Sequence, residues 1–321
     1  MSDRLIALGA ALIFAALGYM LVDATGPASF VYPYRATKLA ALVLVGIALS
    51  VATVVFQTIT GNRILTPSLM GFDALFVLVL TVLVHGLGAA GYAALPAWEV
   101  FALNFAAMAV LGLVLFVVLM RLARGDMVRM VLTGIVLGLL IRSLTEFLQR
   151  LIDPSEYQMV QSLSFARFTQ IDLALLLISA VAVAVGVAGA WHLRYRLDVL
   201  ALGDTAAVSL GEPPERLQNM ALVIICLLVA AATSLAGPLA SGGAGPSSFF
   251  GLIVAAFAHV LTPTHRHAIL LPSAALTGAF ILVGGQLVME RLLDLSTPLI
   301  VVIELIGGVT FLVLLLKRRM A

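Results

Sequence analysis

Residues 197–218 read LDVLALGDTAAVSLGEPPERLQ, a polar, turn-rich run in a chain that is otherwise almost continuously apolar. Asp198 is placed to cap a short helix that Gly203 ends. Asp204 is placed to cap a second, ended by Gly211, and Pro213, Pro214 and Glu215 suit the first turn of a third. A protein that only has to cross a bilayer needs no pair of short helices between two spans. One that is pushed by a soluble machine does.

The surroundings of this run set the fold class. Of 321 residues, 62% are hydrophobic and 11% charged, and the mean hydropathy is +1.16. A soluble core cannot absorb that much apolar sequence, so the chain reads as an all-α polytopic membrane protein forming one transmembrane domain over 1–321. Helices are required because backbone groups in lipid must be satisfied within the segment. Polar breaks divide the apolar sequence into ten spans: 4–22, 36–59, 68–88, 98–120, 128–149, 171–193, 219–237, 249–262, 268–290 and 298–316. The eighth is too short to cross untilted. The first follows Arg4 and is followed by the poor cleavage site DATGPA, so it is retained as a span and not read as a signal peptide.

Lys and Arg orient the chain. With the N-terminus inside, twelve fall on the cytoplasmic side and six outside: Arg35, Lys38, Arg142, Arg150, Arg167 and Arg291. That asymmetry fits the positive-inside rule and puts the 194–219 segment, and both termini, in the cytoplasm. The outer segment 151–170 is amphipathic enough for a short surface helix. No glycine-rich phosphate loop or nucleotide motif occurs, so uphill transport by ATP requires an ATPase on another polypeptide.

Several stretches then converge. KLAALVLVGIALSVATVVFQ (38–57), GNRILTPSLMGFDAL (61–75), MVLTGIVLGLLIRSLTEFL (130–148), the 197–218 run, SLAGP (234–238), FFGLIVA (249–255), HRHAILLP (265–272) and TPLIVVIELIGGVTFLVLLLK (297–317) occur in this order. Together they resemble the FecCD-like permease subunits of bacterial iron-siderophore and vitamin B12 ABC importers, over nearly the whole chain. The TPSLMGFDAL turn resembles the catecholate and petrobactin-type subgroup. The resemblance implies a type II importer permease fold of ten helices in the bacterial inner membrane. It also implies a second permease subunit, a heterodimer by subgroup, two ATPases that carry ATP and Mg, and an external substrate-binding protein. This chain would bind no cofactor or nucleic acid itself and would not be an enzyme.

By the same resemblance, 194–219 holds the coupling helices. Ala206, Ala207 and Leu210 are expected to form the apolar docking face beside Leu202. Gly203 and Gly211 bound it, and Asp204, Glu215 and Arg216 form its polar rim. On the outer side, Arg35 and Lys38 stand eleven and eight residues before Gly46, at the family's paired arginines that meet carboxylates of the binding protein; Arg291 resembles a third. Arg142, Glu146, Gln149 and Arg150 share one face of the fifth span. Arg142 and Glu146 either pair with one another or line the translocation path. Glu304, beside Gly307 and Gly308, is a costly carboxyl within the last span and a further path candidate.

Other features carry less. ASGGAGPS (240–247) repeats AGP and is a departure from the family pattern. His265-Arg266-His267 has no further ligand in sequence to make a metal site, and His85 stands alone. Cys226 reads as a packing residue, and Gly134 and Gly138 as a close-packing GxxxG. A different class, an ion- or proton-coupled secondary transporter, would need acidic relays near the midplane, for which only Glu304 is available.

Overall fold

The structure is a computed structural model. It describes residues 2–22, 26–123, 127–165, 168, 171–237, 249–292, 303 and 309. The elements in order are α1 (Ser2–Leu21), α2 (Ala28–Thr60), α3 (Phe72–Ala94), α4 (Ala97–Ala123), α5 (Met127–Gln149), α6 (Pro154–Leu163), α7 (Leu173–His192), α8 (Arg194–Leu200), α9 (Asp204–Ser209), α10 (Pro214–Ala236), α11 (Phe249–Leu261) and α12 (His267–Leu292).

Eight of these helices are long and apolar enough to cross a membrane. They correspond to the first seven predicted spans and the ninth. The predicted eighth is α11, 13 residues long, as short as its sequence implied. Apart from residues 303 and 309, the predicted tenth span lies outside the described residues, as do Glu304 and the 240–247 insertion.

The bundle is built around α2, which packs against α12, α10, α7, α11 and α1. Its central window is 67% buried, against 11% for α1, whose Ile6, Ile13 and Phe14 face outward as lipid-facing side chains do. With 33 residues, α2 is roughly 50 Å long, longer than an apolar bilayer core, so its ends project. Gly61, in the left-handed region at φ 61°, ends it.

Close approach through small residues holds the bundle together. A Cβ on Gly46 would lie 2.8 Å from the Ala279 backbone, and one on Gly278 would lie 2.7 Å from Gly46 O. The α2–α12 crossing therefore has no room for a methyl group at either position. On the other side, the turn between α2 and α3 is pressed into α5: Gly71 sits against Gly138, and Met70 fills the space over Gly134. The GxxxG of α5 thus serves packing within the chain.

The segment expected as a short helix folds as α6, which packs against α3. His85 is not alone there, because its Nδ1 lies 3.5 Å from Glu156 Oε2 of α6.

Candidate coupling surface and outer rim

The α7–α10 connection folds as two short helices, but by different local means from those the sequence implied. α8 continues from α7 through Leu193, whose N–H reaches Gly189 O at 3.1 Å and whose carbonyl accepts from Leu197 N at 2.9 Å. Because the preceding helix supplies the first acceptors, α8 needs no side-chain cap. Asp198 lies inside α8 and is not its cap. Its carboxylate instead accepts from His267, at the start of α12.

Asp204 is likewise the first residue of α9 and not its cap; Gly203 precedes the helix at φ 98°. A carboxylate in the first turn suits the positive end of the helix, and Asp204 also accepts from Gln218 Nε2 at 3.3 Å. Gly211 does end α9. Its φ is 83°, its N–H bonds Val208 O at 3.0 Å, and the N–H of Glu212 bonds Ala207 O at 2.9 Å. This is the paired pattern of a Schellman motif, which requires the left-handed backbone that glycine adopts without strain. The Arg196 guanidinium then forks onto Glu212, with Nε and Nη2 at 2.9 and 2.8 Å from Oε2. That bidentate pair ties α8 to the segment leaving α9.

The resulting surface differs from the expected one at one position. Ala207 is fully buried, facing the bundle beside Leu197, Leu200 and Leu217, so it cannot touch a partner. The exposed apolar residues are Leu202 (67%), Val208 (62%) and Leu210 (62%), with Ala206 half-buried beside them. Asp204, Glu215 and Arg216 are exposed around them, as a polar rim requires. Sequence reasoning missed Val208; nothing in a six-residue helix says which of two adjacent small residues turns inward.

The outer rim also departs from expectation. Lys38 is 4% exposed and its Nζ lies 2.5 Å from Glu290 Oε1 of α12. A buried, paired ammonium is not available to a docking protein. Gln286 Nε2 completes the cluster, donating to the same oxygen at 2.7 Å. Arg35 directs Nη1 to the carbonyls of Tyr19, Met20 and Val22, at 2.9, 3.2 and 3.0 Å, and Arg291 Nη2 reaches Val22 O at 2.7 Å. Both arginines therefore serve the C-terminal carbonyls of α1, the acceptors a helix end leaves open and the negative end of its dipole.

In α5, the i, i+4 pair between Arg142 and Glu146 is not among the ion pairs of the described residues. Arg142 is half-buried and is an electrostatic neighbour of Asp73, a carboxylate buried at the start of α3 whose Oδ2 has no hydrogen-bond partner. Glu146 is exposed on the same helix as the outward Leu139, Leu140, Leu144 and Phe147. A carboxylate on a lipid-facing surface is costly, so this face suits a protein or aqueous boundary. Among the described residues no group of three or more potential ligands forms a metal site.

The permease protein YclO of the petrobactin import system of Bacillus subtilis (strain 168) is 35% identical over 314 residues, covering 98% of this chain and 97% of the relative. FatC of the petrobactin import system of Bacillus anthracis is 29% identical over 286 residues, 89% of this chain and 78% of the relative. A solved metal-chelate type ABC transporter in an inward-facing conformation superposes with a TM-score of 0.82 at 21% identity, covering 98% of this chain and 99% of that one. It shows the fold. The profile of the FecCD transport family matches residues 6–317. From end to end, this chain belongs to the FecCD transport family.

Proposed function

We infer that this chain is the membrane-spanning permease of a bacterial ABC importer for iron chelates, and we propose a petrobactin-type catecholate chelate as its cargo. The observation that carries the cargo class is the match along 98% of the chain to a petrobactin import permease. The chain is not itself an ATPase. The reading gives ATP and Mg to two ATPase subunits that dock on Leu202, Val208 and Leu210, inside the rim of Asp204, Glu215 and Arg216. The exposure of those three apolar side chains on a capped, cross-braced element supports it, because a docking element must be rigid to transmit a push.

An external binding protein delivers the chelate, and a second permease subunit, a heterodimer partner, covers the α5 face with Glu146. Both termini lie in the cytoplasm. Docking of the binding protein uses outer-rim groups other than Lys38; Arg35 and Arg291 contribute positive potential while holding α1.

The test is reconstitution with a second permease subunit, the ATPase and a binding protein. The purified chain alone should hydrolyse no ATP, and the assembly should take up ferric petrobactin only with ATP. Deleting residues 204–211 should abolish ATPase association. Uptake driven by a proton gradient without any ATPase would replace this reading with that of a secondary transporter.

A further inference from the structure

Asp198 Oδ1 accepts two hydrogen bonds from one residue: the backbone N–H of His267 at 2.7 Å and its ring Nδ1 at 2.6 Å. His267 is the first residue of α12, and an N–H there has no acceptor within its own helix. A carboxylate from α8 therefore caps α12 from outside, at the positive end of its dipole. The other ring nitrogen, Nε2, lies 2.7 Å from Thr58 Oγ1 in the last turn of α2. That hydroxyl also lies 2.9 Å from Val54 O, so it can donate to either. One imidazole, 2% exposed, thus touches α8, α12 and α2.

What lies beyond this contact makes it more than a local brace. From the inner end outward, α2 and α12 are joined at three heights: through Thr58 and His267, at the Gly46–Gly278 crossing, and through Lys38 and Glu290. Sliding one helix along the other would drive backbone into backbone at the middle contact. A shift of the inner end of α12 is therefore passed along the pair. α9 also packs against α10, but the one side-chain hydrogen bond between them among the described residues, Gln218–Asp204, is long at 3.3 Å and exposed.

We propose that the Asp198–His267 contact is where displacement of the α8–α9 element enters the transmembrane bundle, making Asp198 and His267 positioning residues for ATP-driven transport. The proposal rests on the reading of α8–α9 as the ATPase-docking element. Neither residue is on the exposed docking face, so loss of coupling and loss of docking separate experimentally. A claim of transmission needs a coupling measurement as well as a chain of contacts.

The assembled importer in proteoliposomes provides it, with Asp198→Ala, Asp198→Asn and His267→Phe compared for ATPase association, ATP hydrolysis with and without binding protein, and chelate taken up per ATP. All three should associate with the ATPase as the unmodified chain does. Asp198→Ala and His267→Phe should lose about tenfold in uptake per ATP and in stimulation by the binding protein. Asp198→Asn, whose amide oxygen still accepts both N–H groups, should retain most of each. A brace with no role in transmission would lower the unfolding temperature and the yield of complex while leaving uptake per ATP unchanged. Unchanged uptake per ATP in Asp198→Ala overturns the proposal, as does Asp198→Asn failing as fully as Asp198→Ala. If His267→Phe does not fold, the two Asp198 variants decide alone. Failure of the unmodified chain to bind an ATPase sinks the permease reading instead, a separate and visible result.

Discussion

Lys38, toward the N-terminal end of α2, and Glu290, toward the C-terminal end of α12, meet at 2.5 Å, with Lys38 almost wholly removed from solvent. The position marked in sequence for an incoming carboxylate is occupied by a carboxylate of the chain itself. Buried pairs of this kind contribute little net stability over an apolar pair of the same shape, but they are expensive to break on one side.

Glu290→Ala alone should therefore destabilise the protein by about 3–5 kcal/mol, since it leaves the buried Lys38 ammonium unpaired, and Lys38→Ala by less, since the half-buried Glu290 keeps its Gln286 hydrogen bond. The double variant Lys38→Met with Glu290→Leu should unfold close to the unmodified chain. Chemical unfolding in detergent micelles reads both. Equal stability of the single and double variants would show that the pair is not energetically coupled.

Gly278→Val should cost about 2 kcal/mol or more through overpacking. A Cβ there meets Ser50 Oγ as well as the α2 backbone. Gly9→Ala, where nothing lies within 4 Å, should be tolerated. Thermal unfolding of the pair of variants tests whether the α2–α12 crossing is as tight as its geometry.

Val208→Asp and Leu210→Asp should fold normally and lose ATPase association, because both side chains are exposed. Ala207→Asp, which buries a charge against the bundle, should instead reduce folded yield. Co-purification with the ATPase, read beside size-exclusion profiles, separates the two outcomes. ATPase association surviving both exposed substitutions would move the docking face elsewhere.

Arg35→Gln should loosen the C-terminal end of α1, which the guanidinium holds through three carbonyls. A cysteine placed at Val22 should react with a maleimide faster in that background. Cys226 is buried and stays silent in the assay. Unchanged labelling would leave Arg35 as a surface cation with no clamping role.

Helix class, the eight described spans and the existence of the α8–α9 element are legible because each rests on runs of many residues: 20-residue apolar stretches, or glycines and prolines at helix ends. The roles of single polar residues are not. Asp198 looks like a cap from its position before an apolar run, yet its partner is 69 residues away at His267. Lys38 looks like a rim cation, yet its partner is 252 residues away. Ala206 and Ala207 are indistinguishable by type, and only the rotation of a short helix buries one of them. His267 is set aside in sequence for lack of metal ligands, and a histidine that joins three helices, α2, α8 and α12, leaves no local pattern. Glu212 and Arg196, which brace α8 to the segment leaving α9, leave no local pattern either.

The separation between Lys38 and Glu290 also has a consequence for how the protein is made. α2 leaves the ribosome well before α12, the helix that neutralises it. At roughly 5–20 residues per second, the 252 residues between the two take on the order of 13–50 s to synthesise. Throughout that interval α2 waits in the membrane with an unpaired ammonium and a bare glycine face. Its early survival depends on whatever shelters it at the insertion site, and chains that stall before α12 present a ready mark for membrane proteases.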